Sequence, residues 1–214
     1  MVVDERTICY LNSLDEGESL LCREIAAKAS EDRVPIVRRE TAAFLTTMVA
    51  LRRPREVLEI GTAVGYSALR MCEALPAGGK LTTIEKYDRY IREAKANFKR
   101  GERERDIRLL EGDAADILKT LAGPYDLIFL DAAKGQYLSF LRELLRLLPV
   151  GGVLISDNIL QDGELIESRF AVPRRNRTIH ARMREYLYEL KHNEALATSL
   201  LPLGDGVSVS VKIK

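Results

Sequence analysis

The stretch Glu56-Val57-Leu58-Glu59-Ile60-Gly61-Thr62-Ala63-Val64-Gly65-Tyr66-Ser67 constrains this chain more than any other. An apolar run of strand length meets two glycines spaced i, i+4 and continues into an amphipathic, helix-like segment. Parallel strands need a crossover connection, usually a helix, so a strand that turns directly into a helix points to a parallel sheet. The pattern then repeats. Apolar strands are expected near 56–60, 80–84, 107–111, 126–130 and 153–157, with helices near 65–75, 87–99, 114–121 and 135–148. Residues 196–201 and 207–213 read as a closing hairpin through Pro202-Leu203-Gly204-Asp205-Gly206. The final run alternates as an antiparallel strand with one wetter face would. Ahead of the alternation, 4–53 reads as helices, broken at 33–37 because Pro35 disfavours helix at the residue before it.

The expected fold is therefore α/β: a seven-stranded, mostly parallel sheet with an antiparallel C-terminal hairpin strand and helices on both faces. A length of 214 residues suits one domain, 1–214. Its parts would be a helical lead, 1–53, and a core, 54–214, carrying a basic insertion at 168–192. The 33 basic and 32 acidic side chains nearly cancel, so any nucleic-acid footprint must be local. Cys9, Cys22 and Cys72 are odd in number and lack Cys-x-x-Cys spacing, which disfavours zinc and a disulfide framework and suits a reducing cytoplasm. Neither a signal peptide nor a membrane span is expected.

Ligands of such sheets sit at the carboxyl ends of the strands. The first end carries Glu59, Gly61 and Gly65, and the glycines either admit a ligand or only shape the turn. The second ends in Glu85, whose carboxylate can accept both hydroxyls of a ribose. The third carries Asp113 and Ala114, placed to read an adenine. The dinucleotide pattern G-x-G-x-x-G fails here, which argues against a nicotinamide site. The fourth strand ends in Asp131, followed by Lys134, and the fifth in Asp157-Asn158. Each acid alone could be a helix cap, and Lys134 alone a solvated lysine. Together the three oxygen donors suit Mg²⁺ or Mn²⁺ rather than zinc.

Residues Glu59 to Ser67, Glu85, Gly112-Asp113, Asp131-x-x-Lys134 and Asp157-Asn158 resemble the metal-dependent O-methyltransferases of the catechol and caffeoyl-CoA type. The resemblance covers nearly the whole chain and implies a Rossmann-like class I fold with S-adenosylmethionine (SAM) as methyl donor. It implies that Val37, Glu59, Gly61, Ser67, Glu85 and Ala114 line the cofactor site, with Gly65, Asp113 and Asp131 completing the set. It also implies that Asp131, Asp157 and Asn158 bind the metal, and that Lys134 and Asp131 serve catalysis. Members usually pair into homodimers.

The acceptor should carry two adjacent oxygens, one an ionisable hydroxyl. Catechols satisfy this, as does 5-hydroxyuridine. The segment 168–186 holds six arginines, which either bind RNA phosphates and unpaired bases or form a solvated helix face. Arg169, Arg174, Arg175, Arg177 and Arg182 are the expected RNA contacts. Tyr66, Tyr137 and Phe170 are candidates to stack on a base, and His180 and His192 read as surface residues. The run Pro173-x-x-Asn176-x-Thr178 resembles the bacterial tRNA 5-hydroxyuridine methyltransferases, implying a tRNA anticodon loop as partner. The alternative acceptor is a catechol-like or hydroxycinnamoyl small molecule.

Overall fold

The computed structural model describes residues 4–15 and 17–214. Three helices lead: α1 (Glu5–Ser13), α2 (Leu20–Glu31) and α3 (Arg39–Arg52). Asp4 caps α1 by accepting the amides of Arg6 and Thr7, and Ser19 caps α2 by accepting that of Cys22. The alternating region then runs β1 (Glu56–Ile60), α4 (Tyr66–Cys72), β2 (Lys80–Glu85), α5 (Asp88–Arg100), β3 (Ile107–Glu111), α6 (Ala114–Thr120), β4 (Leu127–Leu130), α7 (Tyr137–Leu147) and β5 (Val153–Ser156). Helix α8 (Arg177–His192) precedes the hairpin of β6 (Leu196–Leu201) and β7 (Val207–Lys212). No described helix is long and apolar enough to cross a membrane.

One seven-stranded sheet results, in the order β3-β2-β1-β4-β5-β7-β6. Strands β1 to β5 pair in parallel, and β7 inserts antiparallel between β5 and β6. The strand order reverses between β1 and β4, which places the open crevice beside Gly61 and Asp131. Helices cover both faces. Cys22, Ile25, Leu45 and Val49 of the lead share one core with Val57, Leu81 and Phe129 of the sheet. The lead is thus one wall of the sandwich. On the other face, α7 and α8 bury Phe140, Leu144, Met183, Tyr186 and Leu190 against Leu58, Ile128 and Leu154.

Three expectations are corrected here. The wetter face of β7 is not the serine one: Ser208 and Ser210 are both fully buried, whereas Val209 and Val211 on the opposite face are half-buried. Ser210 Oγ and Thr198 Oγ1 bond at 2.8 Å, which makes the burial of Ser210 tolerable, while Ser208 Oγ has no partner among the described residues. The segment 168–192 is not a separate basic insertion, since its second half is α8, whose apolar stripe is core. His180 is not a surface residue either. It is buried at 2% exposure, with Nε2 3.2 Å from the Glu167 carbonyl.

Gly61 is required by the sheet itself. Its φ is +104°, and a Cβ there would lie 1.9 Å from the Asp131 carbonyl oxygen. Gly65, at φ +84°, is required by packing, since a Cβ would meet the Phe98 ring at 2.5 Å.

Candidate active site

A cavity of about 390 Å³ opens at the carboxyl ends of β1, β2, β3 and β4. Nine of the twelve residues expected to serve the cofactor, the metal or catalysis line it: Val37, Gly61, Ser67, Glu85, Asp113, Ala114, Asp131, Lys134 and Asn158. The extended segment before α3 brings Val37 over the sheet edge. Glu59, Gly65 and Asp157 do not line the cavity.

Glu59 stands behind the wall, fully buried. Its Oε1 accepts the Ser67 hydroxyl at 2.6 Å and its Oε2 the Thr83 hydroxyl at 2.5 Å. Thr83 in turn bonds Thr62 at 2.6 Å, so a buried chain of hydroxyls links Glu59 to two residues that do line the cavity, Thr62 and Ser67. Burial pushes this carboxyl up to about 8. An acid raised on folding contributes stability that is fully present below its ordinary value of 4.5 and is lost as pH rises toward about 8. Glu59→Gln is expected to flatten that slope. Urea unfolding at pH 5 and pH 8 checks it: the gap between the two free energies should be smaller in the variant than in the wild type.

Glu85 is held by its neighbours. Oε2 accepts the Ala63 amide at 2.9 Å, and Oε1 accepts those of Lys86 and Tyr87 at 2.9 and 3.0 Å. Oε2 is left as the freer acceptor for a ligand hydroxyl. Asp113 caps α6 through the Ala115 amide at 2.9 Å and lines the cavity as well. That amide and Lys86 hold its carboxyl below the usual range. Tyr87 and Tyr90 also line this end, unforeseen from sequence. Tyr87, two residues beyond the acid and more than half exposed, is the aromatic that a closer reading of that strand end would have found.

The second half of the site joins the ends of β4 and β5. Lys134 Nζ donates to Asp131 Oδ1 at 3.2 Å and to Asn158 Oδ1 at 2.7 Å. Asp157 is 1% exposed, and its Oδ1 accepts the Asn158 amide at 2.7 Å. Burial and the neighbouring Asp131 charge push its carboxyl up to about 7. Asn158 adopts φ +52°, a conformation that Asn tolerates better than most residues. Sequence reasoning missed Asp205. It is nearly buried on the β6–β7 turn, accepts the Asp162 amide at 2.5 Å and adds negative charge near Asp157.

One carboxylate, Asp131, and one amide oxygen, Asn158 Oδ1, thus converge on a single ammonium, with the Asp157 carboxyl buried beside them. The set is all oxygen, and its negative charge is only partly offset, which fits a hard divalent cation. Among the described residues no group of three or more His, Cys, Asp or Glu side chains could hold a metal. All three cysteines are free, and burial raises the Cys22 and Cys72 thiols to about 11 and about 12.

The arginines divide. Arg177 donates to the carbonyls of Val172 (3.0 Å) and Phe170 (3.3 Å), Arg182 to that of Gly135 (3.0 Å) and Arg184 to that of Glu167 (3.3 Å). Arg177 and Arg184 tie the preceding loop to α8, and Arg182 ties α8 to the turn after β4. Arg169, Arg174 and Arg175 are exposed and form no ion pair among the described residues. Phe170 is 87% exposed, whereas Tyr66 and Tyr137 are buried.

Comparison with known proteins agrees with this geometry. Residues 13–213 match the family described as O-methyltransferase. The chain belongs to the O-methyltransferase family. It is 34% identical to the catechol O-methyltransferase of Niastella koreensis over 134 residues, a stretch spanning 61% of each chain. A Staphylococcus aureus protein considered a caffeoyl-CoA O-methyltransferase superposes with a TM-score of 0.90 at 29% identity, covering 97% of this chain and all of that one. The SAH-bound methyltransferase PaMTH1 of Podospora anserina superposes with a TM-score of 0.87 at 25% identity, covering 98% and 95%. Like its family, this O-methyltransferase draws its methyl group from SAM.

Proposed function

We propose that the protein is a homodimeric, SAM- and Mg²⁺-dependent (or Mn²⁺-dependent) methyltransferase that converts 5-hydroxyuridine at the tRNA wobble position to 5-methoxyuridine. The observation that carries the acceptor assignment is the loop after β5. It offers three exposed guanidinium groups, Arg169, Arg174 and Arg175, around an exposed Phe170. Phosphates pair with such cations, and unpaired bases stack on such rings. The loop is also coupled to the catalytic turn, because Arg182 of the following helix bonds the carbonyl next to Lys134.

SAM would occupy the cavity, with its ribose hydroxyls at Glu85, its adenine beside Asp113 and Ala114, and its methionine end toward Gly61, Ser67 and Asp131. Asp131, Asp157 and Asn158 would hold the divalent cation, which when bound lowers the pKa of a hydroxyl it touches. Lys134 supports the same ionisation from its own side, as an ammonium facing the acceptor oxyanion. Val37 and the aromatic pair Tyr87 and Tyr90 shield the cleft from water. The acceptor oxygen forms a bond to the methyl carbon as the carbon–sulfur bond breaks. The products are a methyl ether, S-adenosylhomocysteine and the proton that the acceptor hydroxyl gives up to solvent on ionising, and no covalent enzyme intermediate is needed.

The test is transfer from labelled SAM to tRNA bearing 5-hydroxyuridine, run beside a simple catechol. Label recovered as 5-methoxyuridine, and lost with a chelator, is the expected result. Label in the catechol alone would favour the second reading, a small-molecule acceptor, which the name of the Niastella relative supports. Salt adds a further arm. Single-strand phosphate contacts contribute about 0.7 each to the slope of log affinity against log salt, so Arg169→Ala/Arg174→Ala/Arg175→Ala should flatten the slope by about 2. An unchanged slope would remove these arginines from the RNA surface.

A further inference from the structure

We propose that the Tyr137 hydroxyl sets the spacing between the strand ends that carry Asp131 and Asp157-Asn158, making Tyr137 a positioning residue for the cation set and for Lys134. The inference rests on the metal reading above and extends it to a side chain outside the ligand set.

The ladder between β4 and β5 ends at the pair Leu130 and Ser156. One more bond follows, from the Asp157 amide to the Leu130 carbonyl at 3.0 Å. Beyond it the chains diverge, and Asn158 turns to φ +52°. That single backbone bond is the last link the sheet makes between the two strand ends, and the ligands lie just past it. The Tyr137 hydroxyl spans the gap there. Its oxygen lies 3.2 Å from the Leu130 carbonyl oxygen and 3.1 Å from that of Asp157, so one proton is shared between the two strand ends. The first carbonyl precedes Asp131, and the second belongs to the peptide joining Asp157 to Asn158.

The same oxygen accepts from Lys134 Nζ at 3.5 Å, and that ammonium stands 5.5 Å from the centre of the ring. The phenol is therefore the common neighbour of both strand ends and of the lysine. Its own position is fixed. The ring is fully buried and packs edge-on against Tyr186, with centroids 5.4 Å apart. The Tyr186 hydroxyl bonds Ser156 Oγ at 2.6 Å, so the supporting ring is tied to the residue before Asp157. A phenylalanine would fill the same space without desolvating a hydroxyl. The oxygen is thus explained by its bonds and not by packing.

Tyr137→Phe tests this, with Tyr186→Phe as the packing control. Mn²⁺ affinity of the SAM-bound protein is read from the free-ion paramagnetic signal. Groups that orient metal ligands typically change affinity by about 10–100-fold when removed, and that weakening is expected for Tyr137→Phe. SAM affinity and the KM for SAM should stay at wild-type values while kcat falls. Tyr186→Phe, which keeps the ring against Tyr137 and frees it only from Ser156, should weaken Mn²⁺ affinity by clearly less than Tyr137→Phe. Wild-type Mn²⁺ affinity in Tyr137→Phe would overturn the inference, as would equal weakening in both variants, which would reduce the effect to packing. A wild-type protein that binds no Mn²⁺ would instead remove the metal reading itself, and this inference with it.

Discussion

Asp157→Asn is expected to lower kcat by at least about 10³-fold, because a bound cation that stabilises the oxyanion contributes several kcal/mol to the barrier. The same change should not lower thermal stability. Asp157 is buried, burial disfavours its charge, and the nearby Asp131 repels it. Asparagine keeps the shape and can still accept the Asn158 amide now held at 2.7 Å. Removing a charge that folding disfavours relieves the apoprotein. Activity and stability should therefore separate, with turnover collapsing while the melting temperature holds or rises. Affinity for SAM should remain within about threefold of wild type, since Asp157 does not line the cavity. Melting curves, SAM titration and single-turnover methyl transfer together check this. A kcat near wild type would exclude Asp157 from the reaction.

Gly61→Ala should have the largest effect on folding. Two costs combine. At φ +104° a side chain strains the backbone, and the new Cβ would overlap the Asp131 carbonyl oxygen at 1.9 Å. Backbone cannot yield as a side-chain tip does. Each term is about 1–3 kcal/mol, so their sum is a large part of the stability of an ordinary domain. A fall in melting temperature on the order of 10 °C is expected. Gly78→Ala is the matched control, because Gly78 has φ +80° with nothing within 4 Å of its Cβ position, so it reports the backbone term alone. Equal losses in the two variants would show that the contact between the β1 and β4 ends is not the constraint.

The central strands were legible because parallel strands covered on both faces are short apolar runs, and β1 and β3 fall where the sequence puts them. Strand ends follow from strands, so Glu85, Asp113, Asp131 and Asn158 could be placed in one crevice without coordinates. What spacing could not reach depended on partners far along the chain. The serines of β7 look solvent-facing until α8 and β6 are seen to enclose them. Gly65 looks like a ligand glycine until Phe98 is found against it. Glu59 looks like a cofactor contact, but the hydroxyls of Ser67 and Thr83 claim both its oxygens. Arg177, Arg182 and Arg184 share the spacing of a phosphate clamp, and only the fold shows them donating to carbonyls. Spacing reports which side chains are near one another along a helix, not what each finds across from it.

The helical lead packs into the same core as the sheet, and this has a consequence for folding. Residues 4–52 precede every strand of the sheet in chain order. The core that Cys22, Ile25, Leu45 and Val49 enter draws on Val57, Leu81, Phe129, Ile155 and finally Val207, and so is complete only with the last strand. The apolar faces of these helices are therefore fully covered only when nearly all of the remaining chain has been added. Val37, which closes one side of the cofactor cleft, sits in that leading segment. The cleft is thus closed by a segment whose own packing partners lie far along the chain, so its shape depends on contacts of long sequence separation.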